Sequence, residues 1–302
     1  MISASFNCGN DALRTLSIRR EISVKPESAQ AGNARTSSRV MAEGRKPHRR
    51  ALGIMWLSKL MYERMCTATW IHDQEGYQLL FNRDEKLTRK QAAPPRLAVR
   101  NGVRFLAPAD GDFGGTWIAV NEFGVSACLL NGANMTGVTS RGLLLLDSIT
   151  ERSAAAVCER VCGLDLSPFA PFTVVAFEPG RPAALVQWNG AKTTFVPYGD
   201  SYMPLTSSSF DPWRVRRERR DEFCRLLTSR GHLDADLLFE YHRSHGPARG
   251  PYSPCMHRAD AETMSFSWIR VTPSGASFFY NPAAPCKITE PLADARGSEL
   301  RI

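Results

Sequence analysis

Strand-forming runs in this chain come in pairs joined by short turns, and that pairing constrains the fold more than any other feature. Thr67–Ile71 and Tyr77–Asn82 flank "HDQEG", and Thr116–Val120 and Val125–Leu130 flank "NEFG". Phe172–Phe177, Ala184–Trp188 and Thr193–Pro197 are set apart by turns carrying "EPGRP" and "NGAK", and Met264–Val271 and Ala276–Tyr280 flank "TPSG". Runs this closely joined pair antiparallel, because a parallel pair needs a crossover of about a dozen residues or more. Between the hairpins lie helical stretches. The leucines and alanines predict one helix from about Arg141 to Val161. Asp211 and Pro212 open another that should run to about Ser229 and stop at Gly231, and a further one covers Asp234–His242. Hairpins flanking a block of helices predict an α+β fold with antiparallel sheets and argue against a βαβ nucleotide-binding unit. No internal repeat and no single break divides residues 65–287.

Charge separates the front of the chain from the rest. The 302 residues carry a net +8, but residues 1–64 hold 12 basic and 5 acidic side chains against 26 and 25 in the other 238. The body is therefore nearly neutral and shows no nucleic-acid footprint. The run Arg214–Arg220, "RVRRERR", is expected to be a solvated helix face, an anion patch being the lesser alternative. Residues 1–50 have no sustained apolar period, so residues 1–64 are expected to form a disordered basic leader. Met41, Met55, Met61 and Met65 are alternative starts. A start assigned too far upstream, a true arm and a targeting peptide all remain open, with Glu21, Glu27 and Glu43 weighing against the last. Ala51–Tyr62 is short and broken by Lys59, unlike a secretory signal, and no stretch nears the ~20 apolar residues of a membrane span. The eight cysteines form no C-x-x-C pair, which fits a reduced, cytoplasmic protein. Cys158 and Cys162 are expected to pack in a core, and residues 288–302 to form a flexible tail.

The stretch "MCTATWIHDQEGYQLLFNRDE", Met65–Glu85, reads like the beginning of a protein. If Cys66 becomes the first residue, its thiol and a free α-amine share one residue. The amine titrates near 7.7–8.0 and can serve as base for a thiol near 8.5. A hairpin returns Asn82, Arg83, Asp84 and Glu85 to the side of Cys66. Alternation then sends Arg83 and Glu85 to one face and Asn82 and Asp84 to the other. Gly114 and Gly115 permit a close backbone approach, but no Lys-Ser/Thr follows to make a phosphate loop, and Trp117 is expected to pack between sheets. Cys255-x-His257 supplies two metal ligands without an evident third or fourth, so no metal site is assigned.

"MCTATW", "GYQLLFNRDE", "GDFGGTWIAVNEFG" and "SRG", in this order and spacing, closely resemble the NRDE family, which includes the transport and Golgi organisation proteins of animals. "LTSSSFDPWRVRRERRDEF" resembles a later stretch of that family, and the resemblance spans most of residues 65–287. More distantly, the opening is similar to the choloylglycine and penicillin V acylases. That likeness implies a four-layer αββα sandwich of the N-terminal-nucleophile hydrolase kind, with Cys66 as nucleophile and its freed amine as base. It further implies Arg83 with Asp84 or Glu85 steadying the amine and thiolate, Asn131 as an oxyanion donor, and Arg258 as a late active-site arginine. Asn131-Gly132 is equally an ordinary turn dipeptide. Ser207 and Ser208 stand near the place of a second asparagine in the acylases.

Two functions follow from the resemblance. One is a cysteine-dependent amidohydrolase acting on an amide or thioester carbonyl of a small acyl ligand, with no cofactor. The other is a non-catalytic carrier on the same scaffold for haem or for lipid and acyl-CoA, with haem as cargo.

Overall fold

The first hairpin forms where the alternation places it and runs further than its apolar core. β1 (Met65–His72) pairs with β2 (Tyr77–Lys86), with Cys66 opposite Arg83 and Met65 opposite Asp84. The computed structural model describes residues 65–132, 137–289 and 297–302; the expected leader lies outside these. A second hairpin, β3 (Ala93–Arg100) and β4 (Val103–Ala109), turns at Asn101–Gly102, both with positive φ (51° and 76°). That is the geometry an Asn-Gly turn supports between right-twisted strands. The chain continues through β5 (Ile118–Asn121) and β6 (Ser126–Asn131), then β7 (Phe172–Phe177), β8 (Ala184–Trp188), β9 (Thr193–Val196) and β10 (Leu205–Ser207). It closes with β11 (Ala261–Thr272), β12 (Gly275–Asn281) and β13 (Ser298–Leu300).

Two antiparallel sheets result, ordered β10-β1-β2-β11-β12-β13 and β3-β4-β5-β6-β7-β8-β9. The expected single helix over 141–161 is two, α1 (Arg141–Ser148) and α2 (Ala154–Cys162). The cause is local. Asn121 Nδ2 donates to the carbonyls of Ile149 and Glu151, each at 2.7 Å, taking acceptors that a continuing helix would use. Ser153 then accepts from the Ala156 N–H and caps a new start. α3 (Pro212–Arg230) and α4 (Ala235–Arg243) begin at the capping residues Asp211 and Asp234, and Gly231, with φ 80°, ends α3. The expected tail is corrected at its end: β13 pairs with β12, and Leu300 is buried in the core.

The layers follow from which face of each strand is apolar. Trp70 and Tyr77 from the first sheet meet Phe177 from the second, with ring centroids 5.3 and 5.7 Å apart. The outer face of the second sheet, through Leu129, Val174 and Val186, packs on Leu145, Val157 and Val161 of α1 and α2. The outer face of the first sheet packs on α3 and α4, where Phe239 meets Phe266 at 5.5 Å. The molecule is a four-layer αββα sandwich.

One charged pair sits inside it. Arg219 of α3 and Asp84 of β2 are both fully buried, with Nη2 donating to Oδ2 at 3.0 Å. Arg219 also donates to Thr67 of β1, and Thr263 of β11 donates to Asp84 at 2.6 Å. The basic run is thus not wholly a solvated face: Val215, Arg219, Phe223 and Leu226 form its inward stripe. Removing one partner of such a pair strands the other charge without water, so Arg219→Met is expected to cost about 3–5 kcal/mol. Urea unfolding should show the loss, and Arg219→Met with Asp84→Leu should recover part of it.

Candidate active site

Cys66 lies one residue into β1, on the face between the sheets, and is 3% exposed. Its register neighbours are Arg83 on β2 and Ser207 on β10. Burial, with Asp84 and Glu85 nearby, pushes its thiol up to about 12, against Arg83 and a hydrogen bond from the Asp84 main chain. In the chain as it stands the thiol is protonated and a poor nucleophile.

Arg83 is held on several sides. Its Nη2 donates to Glu85 Oε2 at 3.3 Å and to Asp110 Oδ2 at 2.6 Å, while its guanidinium lies 4.4 Å from the centre of the Trp117 ring. Asp110 is fixed in turn by both Nη2 contacts of Arg89 at 2.7 Å and by the N–H groups of Asp112 and Phe113. Burial would raise the Asp110 carboxyl, but Arg83 and Arg89 outweigh it and hold the group below its ordinary value. The glycine pair sets this up. A side chain at Gly115 would lie 2.7 Å from the Gly142 carbonyl carbon, so only glycine lets the 110–117 segment reach α1. On the other side of Cys66, the buried Ser207 hydroxyl has no hydrogen-bond partner among the described residues. It is a spare donor beside the thiol.

The structure brings Cys66, Arg83 and Glu85 onto one face and separates the other candidates. Asp84 points away, into the Arg219 pair. Asn131 ends β6 opposite Phe172, and alternation puts it with Ala127 and Leu129 on the face toward α1 and α2, away from Cys128 and Leu130. Arg258 pairs with Asp260 at 3.0 and 2.9 Å and lies 4.5 Å from the Phe210 ring. Phe210 packs against Met65, Met256 and Ala261, so Arg258 stands behind Met65. Ser208 Oγ contacts Met65 Sδ at 2.9 Å and donates to the Phe210 carbonyl. Asp110 carries no sign of its role in the sequence beyond lying four residues before the glycine pair, and Arg89 carries none.

Among the described residues Cys66, Cys128, Cys158, Cys162, Cys255 and Cys286 are free thiols. Away from Cys66, His245 and Cys286 join Cys255 and His257, supplying the third and fourth side chains that their spacing alone does not offer. No helix among the described residues is long and apolar enough to cross a membrane.

The fold and site define a four-layer αββα protein with a buried cysteine–arginine centre on its first hairpin. The sequence profile of the Transport and Golgi organisation 2 family matches residues 65–253, and the chain belongs to that family. Its course is also similar to a mutant conjugated bile acid hydrolase from Clostridium perfringens, with 11% identity, TM-score 0.44, and coverage of 79% of this chain and 97% of that one. Penicillin V acylase from Agrobacterium tumefaciens gives 13%, 0.42, 71% and 82%, and the Caenorhabditis elegans ortholog of N-acylethanolamine-hydrolyzing acid amidase gives 12%, 0.42, 80% and 99%. Among curated proteins, none matches by sequence.

Iodoacetamide at about pH 8 should label the exposed Cys162 and spare Cys66, Cys128 and Cys158 until the full chain is unfolded. Peptide mapping reads this directly, and rapid labelling of folded Cys66 would contradict the burial. Because the Asp110 carboxyl is depressed, its stabilisation is present above its unfolded pKa and is lost as pH falls below about 4. Asp110→Asn should therefore lower stability at neutral pH and flatten the acid limb of a stability–pH curve.

Proposed function

We propose that this chain is an N-terminal-cysteine amidohydrolase, with Cys66 made the nucleophile by removal of everything through Met65. Its substrate would carry an amide or thioester carbonyl on a small acyl group. The observation that supports this most is the Cys66–Arg83 register pair, with Arg83 pinned by Glu85, Asp110 and Trp117.

Processing would change the chemistry in two ways. A free α-amine on Cys66 supplies a base where a peptide bond now stands, and Arg83 favours the thiolate that results. Loss of Met65 would also empty the apolar recess it shares with Met256, Ala261 and Phe210. In the reaction the amine takes the thiol proton, and Sγ bonds to the carbonyl carbon. The Ser207 hydroxyl, on the register partner of Cys66, is a spare donor for the oxyanion. Collapse breaks the bond to the leaving group, which takes the proton back from the ammonium. Water, deprotonated by the amine, then attacks the thioester and restores the thiol.

The test compares the full chain with one begun at Met65, whose N-terminal Cys66 is verified by mass, on N-acyl amides and acyl thioesters. The processed form is expected to turn over a substrate that the full chain does not. Cys66→Ala should lose at least about a thousandfold in kcat. Turnover equal in the processed protein and Cys66→Ala would overturn the reading. The carrier reading draws on the inert, buried thiol of the unprocessed chain, and it predicts haem or acyl-CoA binding unchanged by Cys66→Ala.

A further inference from the structure

Four metal-ligating side chains from three separate segments converge at the end of α4, none of them among the residues around Cys66 described above. His245 follows α4, Cys255 and His257 precede β11, and Cys286 lies in the 3-10 turn Pro285–Lys287 after β12. Their ligand atoms all lie within 4.8 Å of one another. His257 Nε2 stands 3.5 Å from Cys255 Sγ and 3.5 Å from Cys286 Sγ. In a tetrahedron with zinc–sulfur bonds of ~2.3 Å and zinc–nitrogen bonds of ~2.0–2.1 Å, the sulfur–nitrogen edge is about 3.6 Å. The spacing is therefore that of ligands around one small ion.

The surroundings fit as well. His245 Nε2 is buried and has no hydrogen-bond partner among the described residues, an unsatisfied state that a metal bond would end. The other nitrogen of His257, Nδ1, lies 3.6 Å from Glu262 Oε2 and 3.4 Å from Arg249 Nη2. A carboxylate behind a ligating imidazole is the usual second partner that orients such a ring. A cleft of about 360 Å³, lined by Arg225, Glu240 and Arg243 among others, reaches His245 and Cys286 and provides access.

We infer that His245, Cys255, His257 and Cys286 bind one zinc ion in a closed structural site. Two thiolates select against magnesium and calcium, and a tetrahedral set of two sulfurs and two nitrogens suits zinc. All four positions are protein side chains, leaving none for water or substrate, so the ion holds segments together and takes no part in a reaction. Its charge balances the two thiolates. The ion clamps the segment after α4 and the turn after β12 to the start of β11.

The full chain, purified without chelator from cells supplied with zinc, would be measured by elemental mass spectrometry and zinc-edge X-ray absorption. One zinc per chain with two sulfur and two nitrogen ligands at the distances above is the expected result. Cys286→Ser should lower bound zinc at least about tenfold, Glu262→Gln should weaken its affinity about 10–100-fold, and Cys162→Ser should change neither. Cobalt loading of the unmutated chain gives a reading that survives any misfolding of a variant. Thiolate-to-cobalt charge transfer with intense tetrahedral bands is expected. Metal-free protein, zinc that persists in the ligand variants, or a Cys255–Cys286 disulfide in nonreducing peptide maps would overturn the site.

Discussion

The buried pair of Arg219 and Asp84 is the constraint on which the rest of the architecture depends. A carboxylate and a guanidinium taken fully from water cost several kcal/mol each, and only close pairing with added hydrogen bonds offsets this. Here the additions come from Thr67 and Thr263, so one helix and three adjacent strands meet at a single point. That point also decides register. A strand alternates its side chains, so Asp84 turned outward to α3 leaves Arg83 and Glu85 turned inward to Cys66. A slip of one residue would exchange the two sets and place the wrong carboxylate beside the thiol.

The two faces of β2 thus carry two charge systems back to back. On the helix side the pair is sealed, with His242 pushed down to about 3 by burial and Arg219, and so neutral beside Thr69. On the inner side Arg83 remains linked to a partly accessible carboxylate, Asp110, and to an aromatic ring. The first face supports the fold, and the second has the polarity to stabilise an anion. Met65, by the same alternation, lies on the Asp84 face and packs against Met256, Ala261 and Phe210.

The Cys2His2 group adds a second organising centre, where the segments between α4 and β11 meet the turn after β12. An ion shared among these segments would tie them to one another. Thiols that hold a metal are unavailable as nucleophiles.

Much of this was legible in the sequence, for reasons of short range. Hairpins with two-residue alternation, the cap at Asp211 and the stop at Gly231 are decided within a few residues of each other. The same locality put Arg83 and Glu85 on one face and Asp84 on the other. Where the reading fell short, a distant group intervened. Asn121 broke the helix over 141–161 by taking its carbonyls, and Leu300 drew the polar end of the chain into an edge strand. Arg219 looked like one more solvated charge, although its place in the stripe with Val215, Phe223 and Leu226 marked it as inward. Asp110, the spare hydroxyl of Ser207 and the meeting of His245 with Cys286 have no local signature. They depend on which segments the sheets bring together, and such meetings, across 27 residues for Arg83 and Asp110 and 141 for Cys66 and Ser207, are fixed only when the core closes.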